Sequence, residues 1–159
     1  MRRAYIDVNI FDYVALKHPT YGKACKQITD DIRDGKIEAY CSFLVPVEIL
    51  GSLAEIDPRI AAGAIRAFFT FPLKLIPIDE GILTDAARLA PKTGLGYDAI
   101  HVASALRAGV KEVITENHKH WSLFRSFKII RPLEYRSWND AGQQMAFPPT
   151  IFDLQLIVF

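Results

Sequence analysis

Five short apolar runs, at residues 4–6, 37–41, 73–78, 113–115 and 127–130, punctuate a chain whose intervening stretches carry helical periodicity. This alternation is the strongest constraint on the fold. Strands separated by helical crossovers pair in parallel, and a parallel sheet needs helices over both faces. Helices are read at residues 9–17, 20–34, 43–56, from Pro58 onward, at 81–90 and at 97–108. Val47, Leu50, Gly51 and Ala54 recur at i, i+3, i+4 and i+7, as do Ala61, Ala64, Ile65 and Phe68. His18-Pro19 separates the first two helices, Gly35 and Gly109 end two others, and residues 91–96 read as a loop by composition. Residues 97–108 are apolar on most faces, which makes that helix central. In such folds ligands bind off the carboxyl ends of the strands.

The chain has 159 residues, half of them hydrophobic, so one domain can bury a core without disulfides or structural metals. Lys and Arg total 19 against 18 Asp and Glu, a net charge of +1. That balance excludes a basic coat for blanket duplex binding and an acidic disordered tail, but not a local grip on nucleic acid. Cys25 and Cys41 read as free buried thiols. No apolar stretch approaches the ~20 residues of a membrane span. Met1-Arg2-Arg3 is followed closely by Asp7, which is not a secretory leader pattern, so the expected location is the cytoplasm and no membrane partner is expected. No repeat or linker divides the chain before about residue 136. Residues 1–136 are expected to form the domain, and 137–159 a C-terminal extension.

Three acids stand in apolar company. Asp7 is the only charge between Ala4 and Phe11, Glu48 the only one from Ala39 to Ala54, and Asp98 the only one between Thr93 and Leu106. Isolated carboxylates in such surroundings are costly unless a cation answers them. No Lys or Arg lies in the three runs, so the answer is either a distant basic residue or a shared divalent cation. Oxygen ligands without a thiol pattern favour Mg²⁺ or Mn²⁺ over zinc. Singly, each acid has a structural explanation. Asp7 and Asp98 fit as helix N-caps, and Glu48 as a first-turn acid of a helix opened by Pro46, or as half of a buried ion pair.

The segments Tyr5-Ile6-Asp7-Val8-Asn9-Ile10-Phe11, Val47-Glu48-Ile49-Leu50 and Tyr97-Asp98-Ala99-Ile100-His101-Val102-Ala103-Ser104-Ala105 resemble the three acidic motifs of PIN-domain nucleases, in that family's order. The run from Val113 through Thr115, Glu116 and Asn117 to Trp121 is similar to the fourth motif, and Phe127 to Leu133 to the last strand and its exit. The resemblance covers about residues 4 to 136. It implies a PIN-like three-layer α/β/α sandwich around a mainly parallel sheet of four to five strands. It also implies a Mg²⁺- or Mn²⁺-dependent ribonuclease most like VapC-type toxins, with RNA as substrate and an antitoxin protein as a possible partner.

Under that resemblance Asp7, Glu48 and Asp98 are the metal-binding acids. Asn117 stands where many members carry a fourth Asp; it keeps an oxygen ligand and loses a charge. Asn9 and Thr115 match supporting polar positions that orient the acids. The implied products carry 5′-phosphate and 3′-hydroxyl ends. His101 reads as a core-facing histidine and His120 as a loop residue, either solvated or touching RNA. Arg2, Arg3, Lys17, Lys23 and Lys119 are candidate phosphate contacts or solvated surface.

Rival classes differ at identifiable residues. A non-catalytic PIN-like module that binds RNA or protein is favoured by Asn117. A phosphotransferase with an acidic nucleophile wants a second Asp two residues after the first, where Asn9 stands. A structure-specific DNA nuclease is the nearest enzymatic neighbour, but 159 residues leave little room for the extra elements that grip junctions. Two further expectations concern assembly. Residues 65–71 carry three phenylalanines, which points to a homodimer through that helix. Residues 151–159 alternate in β fashion and then end apolar, which points to an extended segment docked on its own or a neighbouring subunit.

Overall fold

The computed structural model describes residues 1–94 and 96–136. The expectations for the extension at 137–159 lie outside the described residues. In chain order the elements are β1 (Arg2–Ile6), α1 (Val8–Ala15), α2 (Gly22–Arg33), β2 (Ile37–Ser42), α3 (Leu44–Ala54), α4 (Pro58–Phe68), β3 (Lys74–Ile76), α5 (Glu80–Thr93), α6 (Gly96–Arg107), β4 (Glu112–Ile114) and β5 (Lys128–Ile130). Short 3₁₀ turns follow β4, at Trp121–Leu123, and β5, at Pro132–Glu134.

The strands form one five-stranded sheet in the order β3-β2-β1-β4-β5, and all four pairings are parallel. The chain winds outward from β1 through β2 to β3, then returns to lay β4 on the other side of β1. The direction of winding therefore reverses between β1 and β4, and a crevice opens there at their carboxyl ends. Asp7 and Thr115 are the residues that follow these two strands.

Strand alternation feeds two cores, one on each face of the sheet. Ala4 and Ile6 of β1, with Ala39 and Cys41 of β2, point to the face covered by α1 to α4. Tyr5 and Tyr40 point to the opposite face, where α5 and α6 contribute Ile82, Ala99 and Val102. This is the expected α/β/α sandwich. Both cysteines are free and buried. No helix among the described residues is long and apolar enough to cross a membrane.

Three local readings need correction. Residues 91–93 belong to α5, with Pro91 inside the helix, and Gly94 ends it in the left-handed conformation at φ 80°. A proline in the last turn removes only one backbone bond, so the helix continues until a residue without a side chain can reverse it. Helix α3 starts at Leu44 rather than Pro46, which places Glu48 beyond the first turn. Helix α6 starts at Gly96, so Asp98 stands within its first turn and not ahead of it.

The phenylalanine-rich end of α4 is also more internal than its composition suggests. Phe68 is buried edge-on against Phe11 at 4.9 Å, and Phe71 packs near the same ring at 6.1 Å. Only Phe69 remains mostly exposed. It lies 6.5 Å from Phe43, which with Val47 and Leu50 forms an exposed apolar strip along α3.

Candidate active site

Asp7 sits at the point where β1 turns into α1. Its Oδ1 accepts the Val8 N–H at 2.8 Å, so the capping expectation holds. Its Oδ2 faces the crevice side of the sheet and accepts from Thr115 Oγ1 at 2.6 Å, Asn9 Nδ2 at 3.2 Å and Trp121 Nε1 at 3.4 Å. Asp7 is 3% exposed, and these donors are what make a buried carboxylate tolerable without a cation beside it. Asn9 holds the arrangement together: its amide donates to Thr115 Oγ1 at 3.1 Å, while its Oδ1 accepts the Glu116 N–H at 3.1 Å. The two supporting positions thus join the ends of β1 and β4.

Glu48 and Asp98 approach from opposite faces of the sheet. Glu48, on α3, places Oε2 at 2.8 Å from His101 Nε2. Asp98, on α6, places Oδ2 at 3.6 Å from His120 Nδ1. Both histidines are buried, His101 to 3% exposure and His120 to 6%. His120 is therefore neither solvated nor an exposed RNA contact; its ring packs against Trp121, 5.2 Å between centroids. Asn117 is exposed at the mouth of the loop after β4, with its backbone carbonyl 3.3 Å from Thr115 Oγ1.

The charges of Asp7, Glu48 and Asp98 all act on both imidazoles. Burial pulls the pKa of His101 down, but its bond to Glu48 and the three carboxylates carry it above the ordinary value. In His120 burial wins, and the pKa falls despite Asp98, Asp7 and Glu48. Glu48 and Asp98 each meet one of the two buried histidines, Asp7 acts on both through its charge, and among the described residues none of the three acids is paired with Lys or Arg.

This donor set fits a hard divalent cation in kind: three carboxylates, a neighbouring amide and, among the described residues, no Lys or Arg paired with them. In spacing it is open. Among the described residues no group of three His, Cys, Asp or Glu side chains stands close enough together to hold a metal ion. Each acid is instead held by its own partner, two of them by imidazoles.

A fourth acid belongs to this neighbourhood. Asp12 lies on α1, accepts from Ser52 Oγ of α3 at 2.9 Å, and has a buried Oδ1 with no partner among the described residues. Burial pushes its pKa up to about 6, opposed by the Ser52 bond and aided by Glu48 and Asp7. Sequence reasoning missed Asp12 because it follows the apolar run of Asp7 directly and looks like the first solvated residue of α1. Tyr5 and Trp121 were missed as well. Both sit inside recognised motifs, but nothing in the sequence tells a site-facing aromatic from a core one.

The basic residues sort differently. Arg2 pairs with Glu112 at 2.8 Å and Arg3 with Glu38 at 3.1 Å. Both lie at the amino end of β1, the edge of the sheet away from Asp7, so they are not phosphate contacts of this site. Lys17, Lys23 and Lys119 are exposed. Glu116 turns away from Asn117 and pairs with Arg131.

Several solved structures share the fold at low sequence identity. VapBC2 from Rickettsia felis, bound to a promoter DNA fragment, is 15% identical with a TM-score of 0.62, covering 81% of this chain and 98% of that one. A toxin–antitoxin complex from Klebsiella pneumoniae is 20% identical with a TM-score of 0.62, over 83% and 99%. The sarcin-ricin loop cleaving toxin VapC20 from Mycobacterium tuberculosis is 10% identical with a TM-score of 0.64, over 75% and 93%. No curated protein sequence matches the chain. The family model of the PIN domain matches residues 4–125, which span β1 to the turn after β4, and the chain belongs to the PIN domain family.

Proposed function

We propose that the protein is a divalent-metal-dependent endoribonuclease and the toxin of a toxin–antitoxin pair. The observation that carries this reading is the set of three acids and two buried imidazoles at the reversal point of the sheet, with no acid paired to Lys or Arg among the described residues. Family membership supports nuclease chemistry. Toxin–antitoxin complexes among the similar structures support the pairing, and a toxin that cleaves the sarcin-ricin loop supports RNA as substrate.

In this reading Asp7, Glu48 and Asp98 hold the cation, Mg²⁺ or Mn²⁺, and Asn117 offers an uncharged oxygen at the rim. The chemistry supplied by such a cation, once bound, is charge neutralisation at a phosphodiester and acidification of a water molecule. The chain's own residues prepare the site. Thr115, Asn9 and Trp121 fix the Asp7 carboxylate, and the histidines hold Glu48 and Asp98 in place at the crevice. The lone charge deficit at Asn117 favours one tightly held ion over two.

A protein partner is supported by an apolar groove of about 420 Å³ between α1, α2 and α4, walled by Phe11, Val14, Ile60, Ala64 and Phe71. The exposed strip of Phe43, Val47, Leu50 and Phe69 supports a homodimer, on the α3 face and not through α4 alone.

A second reading, a PIN domain that binds RNA or protein without cutting, is favoured by Asn117 and by the open spacing of the donors. Incubating labelled single-stranded RNA with the protein, with Mg²⁺, Mn²⁺ or EDTA, separates the two. Metal-dependent fragments with 5′-phosphate ends are expected. Retained binding with no fragments under either metal supports the second reading.

A further inference from the structure

Tyr5 is wholly buried, on the sheet face covered by α5 and α6. A tyrosine in such a place carries a hydroxyl that must be satisfied, or phenylalanine would serve better. Here the hydroxyl lies between two groups. The Ser42 backbone N–H, at the end of β2, donates to Tyr5 Oη at 3.1 Å. On its other side Tyr5 Oη is 2.7 Å from His101 Nδ1. The far nitrogen of that ring, Nε2, is 2.8 Å from Glu48 Oε2. A continuous line of four groups thus runs from the carboxyl end of β2, through β1 and α6, to a carboxylate on α3.

The donors in this line leave one assignment in which every hydrogen finds an acceptor. The Ser42 amide can only donate, so Tyr5 Oη accepts from it and gives its own hydrogen to His101 Nδ1. Neutral His101 is then the Nε2–H tautomer and donates to Glu48. The partner of one ring nitrogen decides what the other nitrogen can do.

We propose that Tyr5 and His101 are positioning residues for Glu48: they pin its Oε2 across the crevice and leave Oε1 as the oxygen presented to a cation or substrate. The ring comes from α6 and the acid from α3, which lie on opposite faces of the sheet. The line therefore also fixes how the Glu48-bearing helix sits against the Asp98-bearing one. Removing the Tyr5 hydroxyl leaves the buried Nδ1 without its donor, so the ring is anchored by Glu48 alone and its orientation, and with it that of Oε2, is no longer fixed.

The inference rests on the metal-site reading above, and its test reads metal affinity and tautomer rather than cleavage. Mn²⁺ binding to the full-length protein is measured by electron paramagnetic resonance for wild type, Tyr5→Phe, His101→Phe and His101→Gln, each checked for folding by circular dichroism. Loss of a partner that orients a ligand weakens metal binding ~10–100-fold. A loss in that range is expected for His101→Phe, about tenfold for Tyr5→Phe, and partial recovery in His101→Gln, whose amide can accept from Tyr5 and donate to Glu48. Nitrogen-15 spectra of the metal-free wild type at pH 8 should show His101 as the Nε2–H tautomer, a readout that needs no variant to fold. Folded Tyr5→Phe and His101→Phe proteins that bind Mn²⁺ within twofold of wild type overturn the proposal and leave the metal site standing, as does the Nδ1–H tautomer. A wild type that binds no Mn²⁺ overturns both.

Discussion

Thr115 Oγ1 lies 2.6 Å from Asp7 Oδ2, a buried bond between the residues that directly follow β4 and β1. Asn9 Nδ2 donates to the Thr115 oxygen at 3.1 Å, and for the hydroxyl hydrogen the charged Asp7 oxygen is a nearer acceptor than the Asn117 carbonyl at 3.3 Å. A bond to a buried charged group contributes ~1.5–3 kcal/mol. Thr115→Val keeps the shape and deletes it. The variant should lose stability of that order in urea unfolding, while Thr115→Ser should keep most of it. Equal stabilities for wild type and Thr115→Val would mean that Asp7 finds another donor.

Asp98→Asn is the clean test of the acidic site. Asp98 is partly exposed, and among the described residues its one ionic partner, His120, is at 3.6 Å. The substitution should abolish metal-dependent RNA cleavage with little change in melting temperature. Asp7→Asn should abolish cleavage too, but not without structural cost. One of its oxygens receives three side-chain donors and the other a backbone N–H, so an amide NH₂ must meet a donor on one side or the other. About 1–2 kcal/mol of lost stability is expected. Asn117→Ala should reduce cleavage less than either. Wild-type cleavage by Asp98→Asn would remove that residue from the site.

Asp12 predicts a pH dependence of stability. Its folded pKa, about 6, lies above the ordinary value of 3.8. The folded state therefore binds the proton more tightly than the unfolded chain, so this group favours folding at low pH. That contribution declines as pH rises from about 4 to about 6 and is gone above. Asp12→Asn removes the cost of a half-buried charge, and after allowance for solvent screening the gain at pH 8 is about 1 kcal/mol. Chemical denaturation of both proteins at pH 8 and pH 4.5 checks this. A wild type that gains on Asp12→Asn as the pH falls would reverse the sign and refute it.

Assembly is tested at Phe69 and Val47, 54% and 55% exposed. Replacing both with Glu should shift a dimer to monomer mass by light scattering without unfolding either subunit, because neither side chain belongs to a core cluster. Monomeric wild type at micromolar concentration would mean that this strip has another use.

Pattern alone made the architecture legible. Alternating strands and helices dictate a parallel sheet with two covered faces. The caps and stops at Asp7, Gly35 and Gly109 are local chemistry, which a sequence displays directly. The three acids were legible for a similar reason: a lone charge in an apolar run is anomalous wherever the run ends up. Helix limits at Pro91 and Pro46 were not: a proline in the last turn costs one hydrogen bond, which tertiary packing readily outweighs, and one in the first turn costs none, so neither marks the end of its helix.

The sequence by itself determined which residues had to be answered by something: Asp7, Glu48 and Asp98, each without a nearby cation, and Asn9 and Thr115 beside them. Only the tertiary structure decided what answers them. His101 and His120 lie 53 and 22 positions along the chain from the acids they meet, and Tyr5 is 96 from His101. Those meetings exist because β4 returns to lie beside β1 while α3 and α6 pack on opposite faces of the sheet. Hydrophobic periodicity records which side of an element is buried, not which polar atom it will face. The distance between two hydrogen-bonding groups is set by the packing of whole layers, and that is a property of the folded chain alone.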